Sequence, residues 1–110
     1  MRIDYRLRSS KDIERLFRRG TKREFSFFRV VAERNGIGHA RFMSVASRAV
    51  EKRATMRNRI RRRTREWVRT HPHILGQSWD IAVVFKKQAV SASRSALYQE
   101  LERALGRMRA

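Results

Sequence analysis

One arginine-rich segment, residues 54–67 with the sequence ATMRNRIRRRTREW, limits the possible folds of this chain more than any other. A few of its side chains recur at intervals of three and four residues, the spacing of one face of an α-helix. The residues at this spacing are Met56, Ile60, Thr64 and Trp67. The pattern predicts a helix over residues 56–70, which ends at His71-Pro72 because the residue before proline disfavours helical conformation. The fold must therefore bury one side of this helix and leave its arginine-rich side open.

The arginine-rich side predicts a polyanionic partner. Residues 48–69 contain ten basic and two acidic side chains, and the whole chain has a formal net charge of +18. Like charges one turn apart on a helix destabilise it by about 0.2–0.5 kcal/mol per pair. Of the 28 basic residues, 23 are arginine, whose planar guanidinium binds phosphate with two parallel hydrogen bonds and stacks on bases. The composition therefore favours nucleic acid over an acidic protein as the partner.

Helical periodicity assigns the remaining side chains of this helix to faces. The polar stripe, opposite the apolar one, consists of Asn58, Arg61, Arg62, Arg65 and Arg69, and Arg57 lies at its border. Arg63 lies beside the apolar stripe, so its stem is expected to pack while its charged end reaches water. Asn58 both donates and accepts hydrogen bonds. We expect it either to bridge the preceding loop and an RNA group, or to cap the start of the helix without contacting RNA.

The rest of the chain predicts a small α/β domain. Residues 78–85 form a nearly continuous apolar run, typical of a central strand buried on both faces. Asn35-Gly36 is a hairpin turn signal between two further strands. The other predicted elements are a helix within 9–20, strands at 24–33 and 40–46, and a helix at 93–108. The order α-β-β-α-β-α predicts one α/β (α+β) domain over residues 1–110, a two-layer sandwich with a small central sheet.

Several functional classes are disfavoured by the sequence. The absence of cysteine excludes disulfides and cysteine-based zinc sites. Proline separates His71 from His73, so a solvated helix end explains this pair better than a metal site. Paired carboxylates and a nucleophile elbow are not found, and no apolar run approaches the length of a membrane span. We therefore expect a cytoplasmic protein with no catalytic group and no metal site of its own.

The basic motif and three other segments resemble the bacterial ribonuclease P protein component. MRNRIRRRTRE resembles the Arg-Asn-Arg signature of that family. The segments RLRSSKDIERLFRRGTK, RFMSVASRAV and WDIAVVFKKQA resemble its N-terminal segment, its strand before the basic motif and its third strand. The resemblance extends over about residues 6–105 and implies a left-handed β-α-β crossover through the basic helix, where general rules favour a right-handed one.

The resemblance also implies a function. The family supplies the small accessory subunit of a ribonucleoprotein whose RNA is the catalyst, and which removes the 5′ leader from precursor tRNA using Mg²⁺ bound to the RNA. We expect a monomeric protein in a 1:1 complex with ribonuclease P RNA, with precursor tRNA as the substrate. The implied RNA-binding residues are Arg48, Lys52, Arg53, Arg57, Asn58, Arg59, Arg61, Arg62, Arg65 and Arg69. The implied floor of a cleft for the leader consists of Ile13, Phe17 and Phe28.

Two other functions share parts of this pattern. A structural RNA-binding protein of the ribosomal type has a similar composition but lacks the ordered set of motifs. A DNA-binding module is disfavoured because there is no helix-turn-helix or zinc pattern. For the candidate cleft residues Phe17 and Phe28 the alternative is an ordinary place in the core, which is the favoured interpretation for Phe25 and Phe27.

Overall fold

A computed structural model describes residues 4–108, so the ends of the expected 1–110 domain lie outside the described residues. The chain forms a mixed α+β fold, as expected. The helices are α1 (Ser10–Arg19), α2 (Ala54–Arg69), the short α3 (Pro72–Leu75) and α4 (Arg94–Leu105). The strands are β1 (Thr21–Glu24), β2 (Phe28–Arg34), β3 (Arg41–Val45) and β4 (Trp79–Phe85).

Strand β4 lies inside the sheet, whose strand order is β1-β2-β4-β3. It pairs antiparallel with β2 and parallel with β3. Five of its seven residues are buried, which confirms the prediction of a central strand covered on both faces. The connection between the parallel strands β3 and β4 runs through α2 and α3. The left-handed sense of this β-α-β crossover is implied by the family resemblance and stays a prediction.

The predicted hairpin at Asn35-Gly36 is wrong, because β4 lies between β2 and β3. The segment is nevertheless a turn, since Gly36 and Gly38 have φ values of 69° and 88°, which favour glycine. The Asn35 side chain accepts a hydrogen bond from the Ile37 amide and donates to the His39 carbonyl and to Asp80. The turn therefore leads the chain across the end of the sheet to its far edge.

The strand predicted over 24–33 is in fact two elements. Strand β1 ends at Glu24, and a tight turn follows in which the Phe25 amide donates to the Phe28 carbonyl. The Phe27 amide donates to the carboxylate of Glu100 in α4, at 2.7 Å. Phe25 and Phe27 pack against the main core, which agrees with the core interpretation favoured for them from the sequence. Strand β1 itself was not predicted because its sequence, TKRE, is charged and every residue of it is exposed.

Helices cover both faces of the sheet. Leu16 of α1 packs with Val31 and Ala82 on one face. Ile60 of α2 and Leu101 of α4 belong to the core on the opposite face. Side chains alternate along a strand, so one sheet serves both cores. Helix α1 thus adds a layer to the predicted sandwich, and it lies on the opposite side of the sheet from the basic helix.

Candidate nucleic-acid interface

Helix α2 presents the predicted arginine face to solvent. Ile60, Thr64 and Trp67 are buried and Met56 is half-buried, which confirms the apolar stripe; Val68 joins it. The Thr64 hydroxyl donates to the Ile60 carbonyl at 3.0 Å, so this buried polar group is satisfied within the helix. The exposed residues of the opposite face are Asn58, Arg59, Arg62, Arg65, Glu66 and Arg69. The helix therefore carries its charge on a free surface while its other side anchors it.

Arg57 and Arg61 hold the loop before α2 against the helix. Arg57 donates from Nη1 to the carbonyl oxygens of Glu51 and Lys52, at 2.9 and 2.8 Å. Arg61 donates from Nη2 to the Ala46 carbonyl at 3.0 Å. Both side chains are half-buried. These two arginines consequently fix the loop that carries Arg48, Lys52 and Arg53, in addition to any contact with RNA.

Asn58 does not cap the helix, so that alternative is wrong. Helix α2 begins at Ala54 and its N-cap residue is Arg53, which places Asn58 in the second turn. The side-chain oxygen Oδ1 of Asn58 accepts a hydrogen bond from Arg61 Nη1 at 3.2 Å. Because Arg61 also binds the Ala46 carbonyl, Asn58 is linked to the preceding loop through Arg61. Its RNA contact stays a prediction.

Within residues 4–108, carboxylates form ion pairs with only two of the candidate RNA-binding residues. Arg53 pairs with Glu51, and Arg69 pairs with Glu66 at 2.6 Å. These hydrogen bonds hold the pKa values of Glu51 and Glu66 below their usual range. By contrast, five exposed side chains form no hydrogen bond or ion pair with any residue in the range 4–108. These are Arg48, Lys52, Arg59, Arg62 and Arg65.

On the other face of the sheet, Ile13 and Phe17 lie on one surface. Both are half-buried and pack beside Leu16, and Met43 of β3 joins the same cluster. The α1 side of the sheet continues beyond the helix through a cross-strand row, in which Arg29 pairs with Val84 and Val84 with Val45. Val84 and Val45 are only half-buried and Arg29 is exposed. We infer from this arrangement that helix α1 and this row border a shallow cleft with an apolar floor, beside which Arg29 pairs with Glu24.

Phe28 does not belong to this cleft, contrary to the prediction. It is fully buried and lies in the core beneath α2 and α4 together with Phe85, its partner on β4. The reason is strand alternation: Phe28 is three residues before Val31, which faces α1, so the two side chains point to opposite faces. The core interpretation holds for Phe28, and the cleft assignment is restricted to Ile13 and Phe17.

A buried ion-pair network positions α1 on the sheet. Arg41 donates from Nε and Nη2 to the two oxygens of Asp80, both at 2.8 Å, and from Nη1 to Asp12 of α1 at 3.0 Å. Asp80 is 2% exposed and also accepts a hydrogen bond from Asn35. The bonds to Asp80 raise the pKa of Arg41 above its ordinary value. Sequence reasoning missed this network, for which the one signal was an aspartate inside the apolar run WDIAVVF.

The histidines after α2 take part in ordinary packing contacts. The His71 ring stacks on Trp67 with 3.9 Å between ring centroids, and its Nδ1 lies 2.6 Å from the Trp67 carbonyl. Among residues 4–108 there is no cluster of three His, Asp or Glu side chains arranged to hold a metal ion. Over the same residues, no helix has both the length and the apolar character needed to cross a membrane.

Comparison with known proteins identifies the family. A family model described as Ribonuclease P matches residues 1–109. The ribonuclease P protein component of Fusobacterium nucleatum is 28% identical over 102 residues, which cover 93% of this chain and 91% of the relative. That of Desulfosudis oleivorans is 46% identical over 56 residues, which cover 51% of this chain and 43% of the relative.

Solved structures agree with this comparison. The ribonuclease P protein from Thermotoga maritima superposes with a TM-score of 0.83 at 26% identity, covering 96% of this chain and 98% of that one. The Staphylococcus aureus protein gives a TM-score of 0.85 at 28% identity, covering 94% of each chain. The match of the family model over nearly the whole length and the shared fold lead to one conclusion: this chain belongs to the ribonuclease P protein family.

Proposed function

We propose that this chain binds the catalytic RNA of ribonuclease P and the 5′ leader of precursor tRNA, and that it supports endonucleolytic removal of the leader to give the mature 5′ end. The observation that carries the proposal is the set of five exposed, unneutralised cations on α2 and the loop before it (Arg48, Lys52, Arg59, Arg62 and Arg65). A chain of the ribonuclease P protein family with such a surface has a natural partner in ribonuclease P RNA.

The α2 surface is suited to the RNA backbone. Each guanidinium that neutralises a phosphate releases condensed counterions, which favours association at low salt. Contacts to phosphate fix position and orientation without reading sequence. Arg57 and Arg61 fasten the loop to α2, so Arg48 and Lys52 are presented beside the helix on a fixed support. The result is a preorganised cationic surface that serves one structured RNA.

The cleft beside α1 is suited to a single-stranded leader. The half-buried ring of Phe17 offers a stacking surface for an unpaired base, and such stacking tolerates any base. Arg29 on the same sheet face is paired with Glu24, so the apolar surface and the ring of Phe17 are the main features that suit a leader. The Asp12–Arg41–Asp80 network holds α1 over the sheet and thereby sets the geometry of this cleft. Tolerance of sequence suits an enzyme that acts on many precursor tRNAs.

In this proposal the RNA carries out the chemistry and the protein is an accessory subunit. We place the catalytic Mg²⁺ on RNA oxygen atoms, the ligand type that this ion prefers, and we assign no step to a metal held by the protein. The protein supplies cations that reduce repulsion between the catalytic RNA and its substrate, and so lowers the Mg²⁺ concentration needed for cleavage. We further propose a 1:1 complex with the RNA, acting in the cytoplasm.

A cleavage assay tests the proposal. The protein is mixed with a bacterial ribonuclease P RNA and a precursor tRNA at a low Mg²⁺ concentration, at which the RNA alone is slow. We expect cleavage at the mature 5′ end to be strongly stimulated. Tight RNA binding without stimulation would instead indicate a structural RNA-binding protein of the ribosomal type and would refute the proposed role in leader removal.

A further inference from the structure

A groove between α2 and α4, away from the leader cleft, adds Arg63 and Arg94 to two arginines of the exposed α2 face, Arg59 and Arg62. Its volume is about 630 Å³, within the range of about 300–1,000 Å³ that is usual for ligand sites. The lining residues are Arg59, Arg62, Arg63, Glu66, Arg94 and Tyr98. The groove lies on the α2 and α4 side of the sheet, whereas Ile13 and Phe17 lie on the other side.

The charge in this groove is not balanced by the protein. The one acidic group in its lining, Glu66, pairs with Arg69 at 2.6 Å. Arg63 donates to the Ala92 carbonyl at 3.2 Å and has no carboxylate partner among residues 4–108. Partial burial, and then repulsion from Arg59 and Arg94, lower the pKa of Arg63. Arginines that repel one another in a partly dry groove are stabilised by a bound anion.

The groove also contains an aromatic ring. Tyr98 is half-buried and also borders a neighbouring section, which is further lined by Trp67, Arg94, Ser95, Gln99, Glu102 and Arg103. Glu102, which lies 3.4 Å from the His71 ring, gives that section a negative charge beside its two arginines. The first turn of the 12-residue helix α4 begins at Arg94, so its positive end faces the basic section. The section lined by four arginines, whose one glutamate pairs with Arg69, therefore carries the larger excess of positive charge and is favoured for an anion.

We infer that the contact surface for the catalytic RNA continues from the exposed face of α2 into the basic end of this groove, where Arg63 and Arg94 hold a phosphate and Tyr98 stacks on the adjoining unpaired base. The inference rests on the proposed function and extends it onto α4. RNA is favoured over an acidic protein segment because a guanidinium group binds phosphate with two parallel hydrogen bonds and because a partly exposed ring beside cations is the arrangement that binds unpaired nucleotides. The subunit would then hold the catalytic RNA with the exposed face of α2 and with its α4 border.

Directed probing tests the inference, since the chain contains no cysteine. Three single-cysteine variants each give one attachment point for a reagent that cleaves nearby RNA. They are Ser95→Cys at the groove, Thr55→Cys in the first turn of α2 and Ser26→Cys in the β1–β2 turn. We expect the Ser95→Cys and Thr55→Cys probes to cleave ribonuclease P RNA at two different, discrete segments. Cleavage from Thr55→Cys alone would overturn the groove site and leave the proposed function standing. Cleavage from neither would count against both.

Substitutions separate phosphate binding from stacking. Arg94→Gln should lower the salt dependence of RNA binding by about 0.7–0.9 in log–log slope, because one phosphate contact outside α2 is lost. Tyr98→Leu should weaken binding by about 5- to 150-fold, as expected for one stacked base, with an unchanged slope, and Tyr98→Phe should restore it. The charge-matched control is Arg107→Gln. Unchanged binding by both groove variants, with unfolding curves like the parent's, would overturn the inference.

Discussion

The exposed arginines of α2 lead to a quantitative prediction for Arg62→Gln combined with Arg65→Gln. Both side chains are exposed, and neither forms a hydrogen bond or ion pair with a residue in the range 4–108. Glutamine keeps most of the side-chain length and a high helix propensity, so α2 should remain folded. The double variant should therefore lose RNA affinity without losing stability.

The magnitude follows from the number of phosphates that the two arginines neutralise. Each contact contributes about 0.7–0.9 to the slope of log affinity against log salt, so the slope should fall by about 1.4–1.8. Raising the salt concentration from 50 to 200 mM should then weaken RNA binding by the parent about tenfold more than RNA binding by the variant. Fluorescence anisotropy with labelled ribonuclease P RNA, at a fixed Mg²⁺ concentration and several monovalent salt concentrations, measures both slopes.

Two comparisons make this experiment specific to the α2 face. Arg19→Gln with Arg107→Gln removes the same charge from exposed positions outside α2 and should leave the slope nearly unchanged. Arg61→Gln removes the hydrogen bond to the Ala46 carbonyl and should reduce stability as well as binding. Equal slopes for the parent and for the Arg62/Arg65 variant would refute the assignment of these arginines to RNA phosphate.

Three further predictions concern the cleft, the buried network and pH. Phe17→Ala should weaken binding of precursor tRNA with a long leader by about 1–3 kcal/mol and that with a one-nucleotide leader much less; equal effects in a competition assay would indicate a purely structural role. Asp80→Ala should lower the free energy of urea unfolding by about 3–5 kcal/mol, because Arg41 is left without its buried partner; a loss below 1 kcal/mol would contradict this. Hydrogen bonds to Lys86 and Arg29 lower the pKa of Glu24, and a hydrogen bond to Arg69 lowers the pKa of Glu66. The stability that these bonds contribute is therefore complete above pH 4.5, the ordinary glutamate pKa, and is lost as the pH falls through the lowered pKa values of the folded protein. Removal of both carboxylates should make the melting temperature less dependent on pH in this acidic range.

The local signals in the sequence predicted helices α1, α2 and α4 and the central strand, but not the short helix α3. The spacing of Ile60, Thr64 and Trp67 gave the buried side of α2, because helical periodicity reports directly on which face is covered. The continuous apolar run of β4 likewise predicted its central position. For the candidate site, the same periodicity placed Arg62 and Arg65 on the open face.

The remaining features depend on partners far away in the chain. An Asn-Gly turn cannot show that β4 will take the position beside β2, since this depends on which pairing buries more apolar surface. Strand β1 is charged and exposed, so it is a strand only because β2 offers a free edge. The cleft assignment of Phe28 failed for a different reason, because only the family resemblance favoured it over a place in the core. Phe28 and Val31 are three residues apart on β2, and an odd offset places two side chains on opposite faces.

The central position of β4 has a consequence for how the chain folds. Strand β2 ends at Arg34 and its neighbour β4 begins at Trp79, so the sheet cannot close until most of the chain has been synthesised. Helix α2 therefore leaves the ribosome before the strand that completes its support. Pairings between distant segments form slowly, and the dense positive charge of the unfolded chain opposes its compaction. We expect the isolated protein to refold faster as salt or phosphate is added, and its RNA to act as a template that speeds the closing of the sheet.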